Sequence, residues 1–485
     1  DGIELLSRFR ARRRLDIGLK YGSAFEQRIK EIPGVERVQL AGSARRRKET
    51  IGDLDIVVGV KPDQHENVAN AILSLHGIAD VKGAGDSKIS LILEASIFED
   101  GFSVGHIDAN VLEAIGGDDY EQLESAGTID AQVRLVPPEM FSFTLAYFTG
   151  SKEHNIAMRQ RAIDRGLRLN EFGLIPEQEA GELKGIEAAQ FSLHAMTEED
   201  IYAHLDMQWV APELREDMGE MDAGSQQALP HLLELPSIKG ALHNHTVVSD
   251  GEATLEQMAD AAQTLGWKWL GIADHSPTLK IANGAPAERL LEQGQTIKRY
   301  NQKWAEDDVD FRLFHGVESD ILPGGKLDHP DDVLKELDYV VASVHAVTKW
   351  RGRDENENTE ELLKVLEHPA TTIIGHPTGR ILQGREGYEV DVYRIIDAMA
   401  EHIQDGTFKA IELNASPYRL DIDYRLCKYA KVSGVPVAIS PDAHSTRGLA
   451  DIQYGVMTAR KGWLEENDVL NTMSGEALAQ QLALQ

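Results

Sequence analysis

The sequence predicts an α/β protein of several domains whose C-terminal half is a parallel β/α barrel. Its 485 residues are 42% hydrophobic and 27% charged, an ordinary globular composition at a length that holds roughly two to four domains. From about residue 237, short apolar runs alternate with helical stretches: ALHNH, WLGIADH, FRLFHGVES, YVVASVHA, TTIIGHP, KAIELNAS and PVAISPDAH. Each run carries His, Asp or Glu at its end, as strands of a β/α barrel do on the face that bears the site. The front half lacks this rhythm and reads as a separate region.

Residues 1–33 read as helical and stop at Pro33-Gly34. VERVQLAG (35–42) is a strand entering a Gly-Ser turn, and LDIVVGV (54–60) is a second strand, preceded by Asp53. A helix (65–76) and the strand KISLILEA (88–95) follow. Residues 96–128 are acidic and Gly-rich and read as an insertion holding one apolar piece, HIDANVLEAI (106–115). IDAQVRLV (129–136) is a strand stopped by Pro137-Pro138, with Asp130, Gln132 and Arg134 on one face by the two-residue period. Residues 139–167 read as helical, 170–215 as a small mixed subdomain, and MDAGSQQALP (221–230) as a linker.

Net charge is −31, which argues against a general nucleic-acid coat. The charge is uneven: residues 1–50 hold 13 Lys and Arg against 7 Asp and Glu, a local +6 that leaves −37 on the rest. RFRARRR (8–14) and SARRRKE (43–49) are placed to track phosphates, although a solvated helix face and a turn would explain them equally. The acidic bulk also fits a salt-adapted surface. No apolar run of about 18 residues is present, so no membrane span is expected. The chain opens DGIELLSRF, without Met or a signal-peptide pattern, and reads as a piece of a longer protein. One cysteine, Cys427, excludes a disulfide framework and a thiolate zinc cluster. A cytoplasmic location is expected.

The histidines carry the strongest signal. HNHTVVSDG offers His243, His245 and Asp250; ADHS offers Asp274 and His275; HGVESDI offers His315, Glu318 and Asp320. His345, His376, Asp442 and His444 end later runs. Imidazoles and carboxylates suit Zn, Mn or Fe, and a carboxylate can bridge two ions. His315 and Asp274 stand apart from the alternation and are left out of the expected ligand set. Nine of the others, His243, His245, Asp250, His275, Glu318, His345, His376, Asp442 and His444, resemble the PHP (polymerase and histidinol phosphatase) family, over about 237–470. That resemblance implies a distorted (β/α)7 barrel with a trinuclear metal centre that hydrolyses phosphate esters, Mn²⁺ being favoured over Zn²⁺ or Fe. It places His243, His245, Glu318 and Asp442 on the first metal. Glu318 bridges to a second, with His345 and His376, and Asp250, His275 and His444 hold the third. Glu318 and Asp442 are then catalytic. Arg380 is expected on the phosphate, with Arg385 and Arg419 as lesser candidates, and Asn414 and Tyr418 shape the pocket.

In the front half, LAGSARRRKETIGDLDIVV resembles the palm of family X DNA polymerases, and VPPE, YFTGSKEHN and LNEFGL continue the match from palm into thumb. Palm and thumb followed by a PHP barrel is the order of the bacterial and archaeal PolX proteins, a resemblance that spans essentially the whole chain. It implies a nucleotidyltransferase-type palm at 34–149 with the 96–128 insertion, a thumb at 150–215, a linker at 216–236 and the PHP domain at 237–485. Residues 1–33 become the end of the fingers. Gly42, Ser43 and Arg46 would contact a dNTP triphosphate, and Asp53 and Asp55 would bind Mg²⁺ or Mn²⁺. Tyr147, Phe148 and Gly150 would lie against the sugar and base. Arg45–Arg47 and Lys48 would help hold DNA.

Three departures bear on this. The family pattern V-D-L-R before VPPE supplies a third metal carboxylate, and here Gln132 stands in its place. A neutral amide is a poor Mg²⁺ ligand and no base. The insertion directly precedes this strand, so a register slip could bring up Asp130 instead. The lyase and fingers region with its DNA-binding hairpins is also largely missing. The expectation is therefore a DNA repair protein whose PHP domain is a 3′→5′ exonuclease acting on gapped DNA or 3′ ends. 3′-phosphatase or AP-endonuclease activity is implied as well, and polymerisation is impaired. The alternatives are a working gap-filling polymerase that uses Asp53, Asp55 and Asp130, a small-molecule phosphatase, and a DNA-end binding module with structural metals. Oligomeric state is not legible.

Overall fold

The structure is a computed structural model, and it describes residues 12–98, 127–345 and 349–483. Most of the expected insertion, including 106–115, and residues 8–11 of the first basic run lie outside the described residues. The chain divides between Pro230 and His231 into two compact units.

In the first unit, helix α1 (Leu15–Lys30) is followed by a five-stranded sheet. Its strands are β1 (Val35–Leu40), β2 (Asp53–Val60), β3 (Ile78–Ala84), β4 (Lys88–Leu93) and β5 (Ile129–Val136), in the order β1-β2-β5-β4-β3. Helix α2 (His65–Leu73) connects β2 to β3. β2 and β5 run parallel, with Asp53 opposite Asp130 and Asp55 opposite Gln132. Alternation buries Leu54, Ile56, Ala131 and Val133 and turns Asp53, Asp55, Asp130 and Gln132 to the open face. β3 escaped the sequence reading because IADVKGA is exposed along almost its whole length and lacks an apolar period.

The helical stretch expected at 139–167 is two helices, α3 (Phe141–Thr149) and α4 (Lys152–Ile163). Gly150, at φ +71°, ends α3, and Ser151 caps α4 by accepting the His154 N–H at 3.2 Å. A hairpin of β6 (Leu167–Asn170) and β7 (Gly173–Pro176) follows, then helix α5 (Glu198–His204), opened by a Thr197/Asp200 capping box.

The second unit holds seven parallel strands: β8 (Gly240–Ala241), β9 (Trp269–Ile272), β10 (Arg312–Leu322), β11 (Tyr339–Ser343), β12 (Ile373–Gly375), β13 (Ala410–Asn414) and β14 (Val437–Ser440). They neighbour one another in chain order, and a bridge between Asn244 and Ala443 joins the last to the first. Helices α6 (Leu255–Thr264), α7 (Ala287–Glu306), α8 (Glu355–Leu366), α9 (Val392–Gln404), α10 (Tyr424–Ser433) and α11 (Ile452–Lys461) form the crossovers and outer layer. All seven expected strands are present. One strand face, with Leu270, Ile272, Val317, Val340, Ile374, Ile411 and Val437, packs in the main core cluster. The alternate face, with Trp269, Phe314, Tyr339, Ile373, Ala410 and Ala438, forms a second cluster. Gly271 and Gly316 make room for Tyr339, since a Cβ on either would lie within 2.6 Å of its side chain. Further along the same face the residues turn polar: Glu318 on β10, Ser343 on β11, Glu412 and Asn414 on β13 and Ser440 on β14. Among the described residues no helix is long and apolar enough to cross a membrane.

Candidate metal centre and candidate palm site

All nine residues of the expected ligand set converge at the C-terminal ends of the barrel strands. Glu318 lies at the hub, 1% exposed in its side chain. Its Oε1 is 3.3 Å from His243 Nε2, 3.3 Å from His345 Nε2 and 3.6 Å from His376 Nε2. Its Oε2 is 2.7 Å from His275 Nδ1 and 3.7 Å from His245 Nε2. Asp442 Oδ1 lies 3.1 Å from His245 Nε2 and 3.7 Å from His243 Nε2. Asp250 Oδ1 lies 3.4 Å from His444 Nε2 and 3.6 Å from His275 Nε2. Asp250 and His444 have the most exposed side chains of the nine, at 32% and 40%, and mark the open side. Two of the ligand residues carry backbone strain: His243 and Asp442 sit at φ +62° and +53°. L-residues adopt that region at a cost of about 1–3 kcal/mol each, which the surrounding barrel must hold in place.

The donor set fits divalent cations. Glu318 Oε1, His243 Nε2, His376 Nε2 and His245 Nδ1 are buried without a hydrogen-bond partner. Burial alone would raise the carboxyl pKa values. The imidazoles around Glu318 and Asp442 outweigh it and hold both acids well below the usual range. Against its own burial, His345 is pushed up to about 10 by Glu318 and by its hydrogen bond with Asp320. His245 is pushed down to about 4 by burial and by His444 and His275. A fixed set of anions with protons shared among the rings is what a cation replaces. Four groups of three or four side chains have ligand atoms close enough to hold one ion.

Three buried carboxylates orient this set, and the sequence reading gave none of them that role. Glu412 contacts His243 Nδ1 at 2.5 Å and His376 Nδ1 at 3.0 Å. Asp320 contacts His345 Nδ1 at 2.8 Å. Asp274 accepts from Thr246 N at 2.8 Å, Ser249 Oγ at 2.6 Å and Gln293 Nε2 at 2.6 Å, fixing the loop between His245 and Asp250. Asn414 Nδ2 donates to Asp442 Oδ2 at 3.0 Å. His315 packs against Gly294 of α7, and burial pushes its pKa down to about 4.

Arg380, expected on the phosphate, is engaged within the protein. Its guanidinium donates to the carbonyls of Arg419 and Leu420 and lies 3.9 Å from Asp423 Oδ2, so it fastens a loop. Arg385 donates to Gly379 O. Arg419 is the arginine at the cluster: its Nε is 3.8 Å from Asp442 Oδ2, and its Nη1 is buried without a hydrogen-bond partner.

In the first unit, Asp53, Asp55 and Gln132 share one face, and Gln132 Nε2 donates to Asp53 Oδ2 at 3.2 Å. Asp130 is engaged by Lys82 Nζ at 2.7 and 2.8 Å. Burial and then Asp53 push Asp55 up to about 6, against the pull of Arg134, Arg46 and Lys88. Gly42, at φ +61°, lies against Asp55, where a Cβ would come within 2.5 Å of Oδ2. Ser43 starts the short turn whose carbonyl accepts the Lys48 N–H at 3.0 Å. Phe148 stacks under the Arg134 guanidinium at 4.4 Å, and Tyr147 packs edge-on to Phe148 at 5.2 Å. Gly150 lets Arg46 Nη1 approach, a Cβ there lying 3.1 Å from it.

The basic run 45–48 is largely committed within the unit. Arg45 pairs with buried Glu198 at 2.6 Å, Arg46 with Glu216 at 2.9 Å and Lys48 with Glu216 at 3.0 Å. Arg215 completes the first group at 2.7 Å from Glu198. In this arrangement Arg45, Arg46 and Lys48 face carboxylates, where phosphates were expected.

Family comparison matches residues 144–216 to the DNA polymerase beta thumb and 241–416 to the PHP domain. The DNA polymerase/3′-5′ exonuclease PolX of Bacillus subtilis (strain 168) is 37% identical over 456 residues, 94% of this chain and 70% of that protein. Shorter stretches of the chain are similar to other proteins. A probable phosphatase of Thermoanaerobacter sp. (strain X514) is 28% identical over 243 residues, 48% of this chain and 90% of its own. One of Caldanaerobacter subterraneus subsp. tengcongensis is 30% identical over 239 residues, 47% of this chain and 85% of its own. Identity along nearly the whole chain, with a thumb match preceding a PHP match, means that this chain belongs to the PolX family of family X DNA polymerases with a C-terminal PHP domain.

Proposed function

We propose that the barrel is a metal-dependent 3′→5′ exonuclease acting on DNA ends, and that nucleotidyl transfer by the palm is impaired. The observation that carries the reading is a contrast within one chain. The nine-residue cluster is complete, whereas the palm offers two carboxylates and an amide at the matching register. The Asp130–Lys82 pair counts against Asp130 as a replacement.

His243, His245, Glu318 and Asp442 would hold one ion, Glu318, His345 and His376 a second, and Asp250, His275 and His444 a third. Mn²⁺, Zn²⁺ and Fe all suit such ligands. Bound divalent ions lower the pKa of water and neutralise charge on a phosphodiester. The protein's part is arrangement. Arg419 offers a charged fork to a non-bridging phosphate oxygen beside Asp442. Asn414 holds the Asp442 carboxylate through Oδ2, leaving Oδ1 on the side of His245 and His243 for the ion. Asp274 fixes the loop that presents Asp250 at the open side, where a DNA end enters. Buried walls around Glu318 keep bulk water from the other side of the cluster.

The test is a 5′-labelled gapped primer-template with Mn²⁺, with and without dNTPs, using wild type, Asp442→Ala and Asp53→Ala. Shortening that dNTPs do not rescue and that Asp442→Ala alone abolishes supports the reading. Asp53-dependent lengthening overturns the palm part of it. A second reading, hydrolysis of small phosphomonoesters, draws on the relatives described as probable phosphatases. A small phosphomonoester that outcompetes DNA would favour it.

A further inference from the structure

We infer that Glu412 is a positioning residue that couples two of the metal positions, so that they fill together. This rests on the reading of the barrel as a metal centre. Glu412 is fully buried on β13, between the strand that leads to His376 and the strand that leads to Asp442. Its Oε1 lies 2.5 Å from His243 Nδ1. Its Oε2 accepts from the His376 backbone N–H at 2.5 Å and faces His376 Nδ1 at 3.0 Å. One carboxylate thus spans two rings, and both rings present Nε2, without a protein hydrogen-bond partner, toward Glu318 Oε1.

Glu412, whose oxygens with His243 and His376 are also close enough to hold an ion, serves from the Nδ1 side as an orienting group. Metal bonds of about 2.0–2.2 Å to both atoms would hold a carboxylate oxygen and an imidazole nitrogen roughly 3 Å apart at a right angle. The 2.5 Å separation from His243 Nδ1 is a hydrogen bond. With Glu412 on the Nδ1 side, each ring is fixed in the tautomer whose Nε2 lone pair points inward, and each becomes a stronger donor. His243 and His376 serve different expected positions, so an ion at either one reinforces the ring orientation that the other requires. Gly375 keeps the path clear, since a Cβ there would lie 3.4 Å from Glu412 Oε2 and 2.3 Å from Ser343 Oγ. Asp320 supplies the contrast, because its hydrogen bond serves His345 alone.

The experiment is a Mn²⁺-binding isotherm on the full chain, followed by the free-ion EPR signal, with a thermal melt of each metal-free variant. Glu412→Gln is expected to weaken two equivalents together by about 10–100-fold and leave the third unchanged. Asp320→Asn is expected to weaken one. Asp397→Asn, an exposed carboxylate on the outer helix α9 that accepts from Tyr429 Oη, should leave each equivalent within about threefold. If Glu412→Gln does not fold, Glu412→Asp keeps the charge but cannot span both rings, and gives the same paired loss. Unchanged isotherms for Glu412→Gln or Glu412→Asp, or loss of a single equivalent, overturn the coupling while leaving the exonuclease reading intact. A wild-type protein that binds neither Mn²⁺ nor Zn²⁺ overturns both.

Discussion

Gln132 donates a hydrogen bond from Nε2 to Asp53 Oδ2 at 3.2 Å, directly across from Asp55 in the parallel β2–β5 pair. An ionised carboxylate in its place would be repelled by both aspartates unless a cation lay between them. The amide makes the face self-sufficient without one. Gln132→Asp is therefore expected to raise Asp53-dependent primer extension with Mg²⁺ by at least roughly tenfold. Asp130→Ala should leave extension where it was. Single-nucleotide insertion into a one-nucleotide gap reads both.

The two arginines near the barrel cluster should separate by assay. Arg419→Ala is expected to slow DNA hydrolysis by about 10–100-fold with little change in melting temperature, because it would remove the proposed phosphate contact beside Asp442. Arg380→Ala removes the charged hydrogen bonds that fasten the carbonyls of residues 419 and 420. It is expected to cost about 1.5–3 kcal/mol of stability, read by urea unfolding.

Glu198 sets an acid limit on the first unit. Burial would raise its pKa, but Arg215 and Arg45 overrule burial and bring it down to about 2 from an ordinary 4.5. On acidification the unfolded chain takes up this proton first. The contribution, on the order of 3 kcal/mol, is complete above pH ~4.5 and is lost as pH falls toward 2. Glu198→Gln should flatten that window. At neutral pH it should destabilise the unit by about 3–5 kcal/mol, since Arg215 stays buried without its counter-charge. Unfolding curves across pH 2–7 for both proteins test this.

Removing metal should loosen the barrel. Ions that bind only the folded state stabilise it by about 2.7 kcal/mol at a hundred times Kd. Melting with EDTA and with Mn²⁺ should differ for wild type and converge for Glu318→Ala, where the ligand shared by two ions is gone.

The barrel was legible because each strand is short, apolar and ended by a chemically distinctive residue; His243, His245 and Asp250 announce themselves. Glu412 did not, because AIELN reads as a core strand, and its glutamate gains meaning only when β12 and β8 bring His376 and His243 to it. The choice between Arg380 and Arg419 depends on which way two loops fold back, and spacing carries no such information. The basic run 45–48 read as a phosphate track because its partners, Glu198 and Glu216, lie some 150–170 residues on. Gly150 was visible as a residue but not as a helix break, since the apolar period runs on across it.

The seam between the first and last strands has a consequence of its own. β8 is two residues long, and Asn244–Ala443 is the recorded bridge across to the β14 side. His243 and His245 stand on one lip of that seam, Asp442 and His444 on the other. A cation shared across it would act as a cross-link closing a loop of roughly 200 residues, a length at which removing chain entropy from the unfolded state counts strongly. Ligand loss would then act as an unzipping of the barrel wall. Amide exchange along residues 240–246 and 440–444 would report that opening before the remaining strands part.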